Sequence, residues 1–429
     1  MMAAAQKVEL RLTAEDEAKL AGAHGPGVAM AMRIVVALAQ VSLAPRLIDI
    51  ESAHIDGCLY HGQAGLDFAE KLVSLGAKVT VPTTLNVSSL DLLHPGLVRL
   101  NPTESTAARR LMDAYVAIGA RATWTCAPYQ LASRPGAGTD IAWAESNAIV
   151  FANSVLGART DRYGDFVDVC AAVTGRAPLA GLHVVENRIP TLELDCSSIP
   201  DRVLESEAAW AALGFVVGRE VGERVPILTG ISPTVVDEDR LKALGASAAS
   251  SGGVALFHLA GVTPEALAAG AAWPEAGLLR IEITPELLRA ARDELTTATA
   301  GDGLDAVSLG TPHFSLAEFA KLAEVLRDRV PFGPACAVWI STSRAVLAQA
   351  REHGYAQLCE EVGAKLVVDT CTYITPILAD SVRTAMTTSG KWAWYAPANM
   401  GINVVLGTLA ECVASARAGR VIRDESAWR

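Results

Sequence analysis

The stretch Ala306-Val307-Ser308-Leu309-Gly310-Thr311-Pro312-His313 is an apolar run that stops on a compact polar turn. The same pattern returns twice before residue 372. Ala337–Ile340 runs into Ser341-Thr342-Ser343-Arg344, and Lys365–Val368 runs into Asp369-Thr370-Cys371-Thr372. A helix-like apolar spacing over Leu316–Arg327 separates the first two, and Ser315 followed by Glu318 forms a capping-box signature at its start. Strand, polar turn, helix and strand again is the order that builds a parallel sheet covered by helices.

Working outward, the alternation continues upstream. Strands are expected at Leu47–Ile50, Lys78–Val81, His183–Glu186, Ile227–Thr229, Val254–His258 and Leu279–Ile283. Helices are expected at Ala64–Leu75, Thr106–Gly119, Ala142–Leu156 and Ser206–Arg219. The fold class is therefore α/β, read as about three lobes over residues 1–135, 136–300 and 301–429 with mostly parallel sheets.

Composition narrows the function. The 429 residues are 51% hydrophobic and 19% charged, which suits a globular chain. The net charge of −11, without a basic tract, argues against a nucleic-acid surface. Gly27–Pro45 is interrupted by Arg33 and Gln40, and Ala208–Gly218 is too short to cross a bilayer, so no membrane partner is expected. The N-terminus lacks an apolar signal core, and the eight cysteines form no CxxC pair. A reducing cytoplasmic setting is the expectation, with thiols free or bound to metal.

Ligand sites in open parallel sheets gather beyond the carboxyl ends of strands. The three polar turns above are such ends. Two earlier segments add to them, Glu51-Ser52-Ala53-His54-Ile55-Asp56-Gly57-Cys58-Leu59-Tyr60 and Thr123-Trp124-Thr125-Cys126-Ala127-Pro128-Tyr129. Cys170, Cys359 and Cys412 fall in helical runs and Cys336 leads into a strand, the pattern of small buried hydrophobes. Cys58, Cys126 and Cys371 instead sit in polar loops, where a thiolate can serve a metal. Arg344 reads either as a bidentate carboxylate clamp or as a helix-surface ion-pair partner. His54 and His313 read either as acid/base groups or as turn histidines. Glu145 and Asn147 stand at a helix start and read as structural or functional alike.

Taken together, SAHIDGCLY, TWTCAPY, AESNAIVFANSVLGART, GGVALFHLAGVTPEA, GTPHFSLAEF, the STSR turn, DTCTYITP, SGKWAWYAP and LGTLAECV resemble the aconitase X family along essentially the whole chain. The resemblance implies an aconitase-like core and a hydro-lyase that dehydrates a small hydroxy acid. It also implies a cysteine-bound iron or iron–sulfur centre and a small swivel-domain component. That component is expected here on a separate small subunit carrying the general base. By the same resemblance, Cys126 and Cys371 match metal ligands. The third ligand cysteine of phosphomevalonate-type members falls where this chain has Thr311, so Cys58 is taken as its substitute. Gly57, Leu59, Asn86, Val87 and Lys391 match substrate-binding positions. The departure at Thr311 points to dehydration of cis-3-hydroxy-L-proline, through an enamine, to pyrroline-2-carboxylate. The alternatives are a mevalonate 5-phosphate dehydratase large subunit or a non-catalytic iron–sulfur protein.

Overall fold

The protein is described here by a computed structural model, and the structure describes residues 9–270, 273 and 278–428. Three parallel sheets carry it. The first has the order Thr83–Leu85, Ala53–Ile55, Ala142–Trp143, so the first lobe extends past the expected boundary at residue 135. The second has the order His258–Leu259, Pro226–Thr229, Leu192–Asp195, Leu279–Glu282. The third runs Ala364–Val367, Ala337–Thr342, Ala306–Phe314, Thr384–Thr387, Asn403–Leu406. Every pairing in the five-stranded sheet is parallel. All nine residues of its central strand, Ala306–Phe314, are buried. A strand covered on both faces reads as a continuous apolar run, which is why this segment stood out in the sequence.

The Ser315 capping box forms as expected and starts the helix Leu316–Val325. Other expectations need correction. Leu47–Asp49 pairs antiparallel with Arg176–Pro178 instead of joining the parallel sheet. Lys78–Val81 is not a strand; the paired segment begins at Thr83. His183–Glu186 falls in two short 3-10 turns, Gly181–His183 and Val185–Arg188, where His183 is held by Tyr163 Oη at 2.6 Å and Asp140 at 2.8 Å. Of Val254–His258, only His258 pairs in a strand. Ala142–Leu156 is not one helix. It opens as a strand, turns at Glu145 with φ +74°, and continues as Ser146–Phe151 and a π turn, Ala152–Leu156. The helical periodicity was real, but the sheet claimed its first residues.

The middle lobe is built on a close helix pair, Glu207–Val221 against Glu238–Gly252. Gly218 and Gly252 face each other so closely that a Cβ on Gly252 would overlap the Gly218 carbonyl. The apolar run Ala208–Gly218 is therefore a buried core helix. No helix among the described residues is long and apolar enough to cross a membrane. The core around Trp210, Leu213 and Phe257 continues into the third lobe through Trp339, Trp392 and Leu406. A separate core holds the first lobe.

Candidate active site

Strand ends of the first and third lobes converge on one cavity of ≈390 Å³. On the first-lobe side, Ala53–Ile55 delivers Asp56 and Leu59, Thr83–Leu85 delivers Asn86 and Val87, and Ala142–Trp143 delivers Glu145 and Ser146. The third lobe contributes Thr311, Cys371 and, from the N-terminus of the helix Gly390–Met400, Lys391. The two sides are strapped together next to the cavity. Ser88 N donates to Asp369 O at 2.7 Å, Val368 N to Asp91 Oδ2 at 3.0 Å, and Gln130 Nε2 to His313 O at 3.0 Å.

Cys126, His313 and Cys371 bring one side-chain ligand atom each within 4.8 Å of the others. Both cysteines are buried, with Val87 packed against them. The hydrogen bond with Cys126 and burial push the Cys371 thiol well above the usual range. A bound cation would reverse this, because metal coordination takes the thiolate. The His313 ring is committed on both sides. Its Nε2 faces the Thr370 carbonyl at 3.2 Å and must donate, so Nδ1 accepts from Thr125 Oγ1 at 3.0 Å. Burial lowers its pKa to about 4, which keeps it neutral. Beside the thiols, the Thr311 hydroxyl is buried with no partner. Two adjacent thiols and an orphaned hydroxyl facing one cavity fit an iron or iron–sulfur group.

Lys391 is 6% exposed and ion-paired with Glu145, with Ser146 Oγ at 3.2 Å. Burial opposes its charge, but Glu145, Tyr373 and Cys126 outweigh burial and hold the ammonium well above the ordinary range. Glu145 accepts from Ala148 N at 2.9 Å as helix cap and also from Asn147. Asn147 in turn donates to Cys126 O at 2.9 Å, so this pair fixes the cysteine turn from behind. The Asp56 carboxyl is pushed up to about 8, first by burial, then by Glu145, Asp165 and Asp168. Asn86 donates its amide to Asp56, while the Asn86 side-chain oxygen is buried without a partner.

The remaining expected residues are placed elsewhere. Cys58 packs in the first-lobe core, its thiol toward Ile55 O at 3.4 Å, and is not in the thiol group with Cys126 and Cys371. Gly57 lies behind the lining, where a Cβ would come 3.2 Å from Tyr115 Oη. Arg344 grips Asp369 with both arms, at 2.7 and 2.5 Å, and does not line the cavity. His54 is fully buried against Thr84 Oγ1 at 2.8 Å, with its pKa lowered to about 3 by burial. Cys170, Cys196, Cys336, Cys359 and Cys412 all sit in apolar cores. Asp56, Tyr373 and Tyr395 line the cavity and escaped sequence reasoning. Asp56 was within reach, since it directly follows a strand, but the strand Ala53–Ile55 was itself missed.

Models of the aconitase X first, second and third domains match residues 9–186, 181–293 and 304–418. The chain belongs to the aconitase X family. This aconitase X protein is 43% identical over 421 residues to a cis-3-hydroxy-L-proline dehydratase of Pseudomonas aeruginosa, covering 97% of this chain and 72% of that protein. It is 37% identical to the phosphomevalonate dehydratase large subunit of Methanothermobacter thermautotrophicus, covering 91% of this chain and 94% of that one. A crystal structure of Thermococcus kodakaraensis aconitase X in its holo form superposes with a TM-score of 0.85 at 35% identity, covering 95% of this chain and 100% of that one. The aconitase X chain is a dehydratase, a hydro-lyase of mixed α/β architecture.

Proposed function

We propose that this enzyme dehydrates cis-3-hydroxy-L-proline, giving an enamine that tautomerises to pyrroline-2-carboxylate. The observation that carries the reading is the cavity itself, where a buried thiol pair and a buried lysine face the same space from two lobes. The 43% identity to the Pseudomonas aeruginosa dehydratase supports the substrate.

Dehydration of a β-hydroxy acid has two difficulties, removal of a weakly acidic α-proton and expulsion of hydroxide. Iron held by Cys126 and Cys371, with Thr311 beside them, would supply a Lewis acid for the departing oxygen. The chain's own groups do the rest of the binding. Lys391 supplies the positive charge facing the substrate carboxylate, where low exposure strengthens each charge interaction. Leu59, Val87 and Ile374 line the same cavity with apolar surface and exclude water from it. His313, neutral and committed on both nitrogens, serves to hold the Gly310–His313 part of the central strand beside Cys126, whose Sγ accepts from His313 N at 3.3 Å.

Among the described lining residues, Glu145 is held by Lys391 and burial keeps the Asp56 carboxyl largely protonated at neutral pH, so neither is a free general base. We assign that role to a small swivel-domain subunit, in keeping with the relatives named as large subunits. The test is to co-express the chain with such a partner, purify anaerobically, and assay cis-3-hydroxy-L-proline and mevalonate 5-phosphate side by side. Turnover of the first only with the partner present supports the reading. Preference for mevalonate 5-phosphate, the second reading suggested by relatives at 30–37% identity, would replace it.

A further inference from the structure

We propose that Asp56 and Asn86 form a receptor for the protonated ring nitrogen of the substrate, and that this pair sets the enzyme's preference for a cyclic hydroxy amino acid over a phosphorylated hydroxy acid. The inference rests on the functional reading above and assigns Asp56 a role that reading leaves open.

Charge balance is the first argument. Asp56 and Glu145 line the cavity, while Lys391 is the one Lys or Arg among the described lining residues, and Glu145 already holds it. His61 is an exposed member of the same lining. Among the described residues no ion pair engages Asp56, although it sits beside the buried Asp168, whose carboxylate accepts from Asp56 N at 2.7 Å. No cation therefore partners Asp56 within the cavity, and burial with the neighbouring carboxylates favours its neutral form until one arrives.

Hydrogen bonding is the second, independent argument. Asn86 is 2% exposed and lines the cavity. Its amide nitrogen is spent on Asp56, which leaves its oxygen as a buried acceptor without a donor. A buried acceptor in that state costs stability until a donor arrives. A secondary ammonium satisfies both needs at once, because it carries one positive charge and two N–H donors. One N–H goes to the Asp56 carboxylate and the other to Asn86 Oδ1. The substrate's own carboxylate then lies toward Lys391, so the zwitterion is matched end to end. Mevalonate 5-phosphate has no cationic group, and its phosphate and carboxylate would meet Asp56 and Glu145 with like charge.

The test uses two unreactive competitors of one shape in the holoenzyme. L-proline carries the ammonium, and cyclopentanecarboxylate has carbon in its place. The expected result is that L-proline inhibits the wild-type enzyme roughly ten- to a hundred-fold more tightly, the effect of a charge-assisted hydrogen bond. Asp56→Asn should erase most of that ratio by weakening L-proline and leaving cyclopentanecarboxylate within about threefold. Asn86→Leu should narrow the ratio as well. A wild-type enzyme that turns over cis-3-hydroxy-L-proline but inhibits equally with both competitors overturns the receptor and spares the function. So does an Asp56→Asn variant that keeps the wild-type ratio. Because the wild-type ratio needs no variant, misfolding of either substitution cannot hide the answer. A holoenzyme that turns over no cyclic hydroxy amino acid sinks the functional reading, and the receptor falls with it.

Discussion

Replacing Lys391 with Met removes the cation from a nearly dry ion pair. The two side chains are 7% and 6% exposed, so solvent screens little of the interaction. Loss of one partner leaves the Glu145 carboxylate buried with hydrogen bonds from Ala148 and Asn147 but no counter-charge. Breaking such a pair costs about 3–5 kcal/mol, whereas neutralising both partners is close to neutral. In a chain of this size that is a drop in Tm of about 3–6 °C. Lys391→Met/Glu145→Gln should recover most of the lost Tm, since glutamine retains an oxygen for the Ala148 cap. Activity should behave differently. If Lys391 faces the substrate carboxylate, both variants lose kcat/KM by roughly a hundredfold or more, because the double variant restores the fold without the charge. Differential scanning fluorimetry and steady-state assays on the two variants separate the roles. Recovery of kcat/KM in the double variant to within about threefold of wild type would refute the substrate role and leave Lys391 as a structural ion.

Iron content discriminates among the cysteines: Cys126→Ser and Cys371→Ser should each lower bound iron measured after anaerobic purification, while Cys58→Ser should leave it unchanged, given its place in the first-lobe core. Burial raises the Asp168 carboxyl to about 7 from its usual 3.8, so the folded state holds its proton where the unfolded chain has lost it. Stability from this residue therefore declines as pH rises from about 4 to 7, and in urea titrations Asp168→Asn should flatten that slope relative to wild type. A variant with the wild-type slope would show that other groups set it. Gly252→Ala should destabilise by about 3 kcal/mol through the clash with the Gly218 carbonyl, read as a lower urea midpoint.

Local signals were legible where a residue's neighbours in sequence are also its neighbours in space. The Ser315 capping box and the strands starting at Ala306, Ala337 and Leu279 formed where read, because pairing and capping depend on a few adjacent residues, but the central strand runs on through Gly310–His313, which the sequence read as a polar turn. The first lobe was harder. Its strands Ala53–Ile55, Thr83–Leu85 and Ala142–Trp143 are only two or three residues long, too short to show a period. Missing them hid Asp56, which is a site residue only because a strand ends just before it.

By itself the sequence determined an α/β chain with parallel sheets and polar strand ends, and its ordered motifs singled out Cys126, Cys371, Asn86 and Lys391. Tertiary structure alone decided which of these meet. Glu145 and Lys391 are 246 positions apart and share one buried ion pair. Cys58, as polar in its sequence setting as the other two cysteines, is turned into a core, while Cys126 and Cys371 come together across two lobes. The reason is physical: a loop's composition shows that it ends a strand, but the direction each side chain faces is set by the packing of sheets from distant parts of the chain.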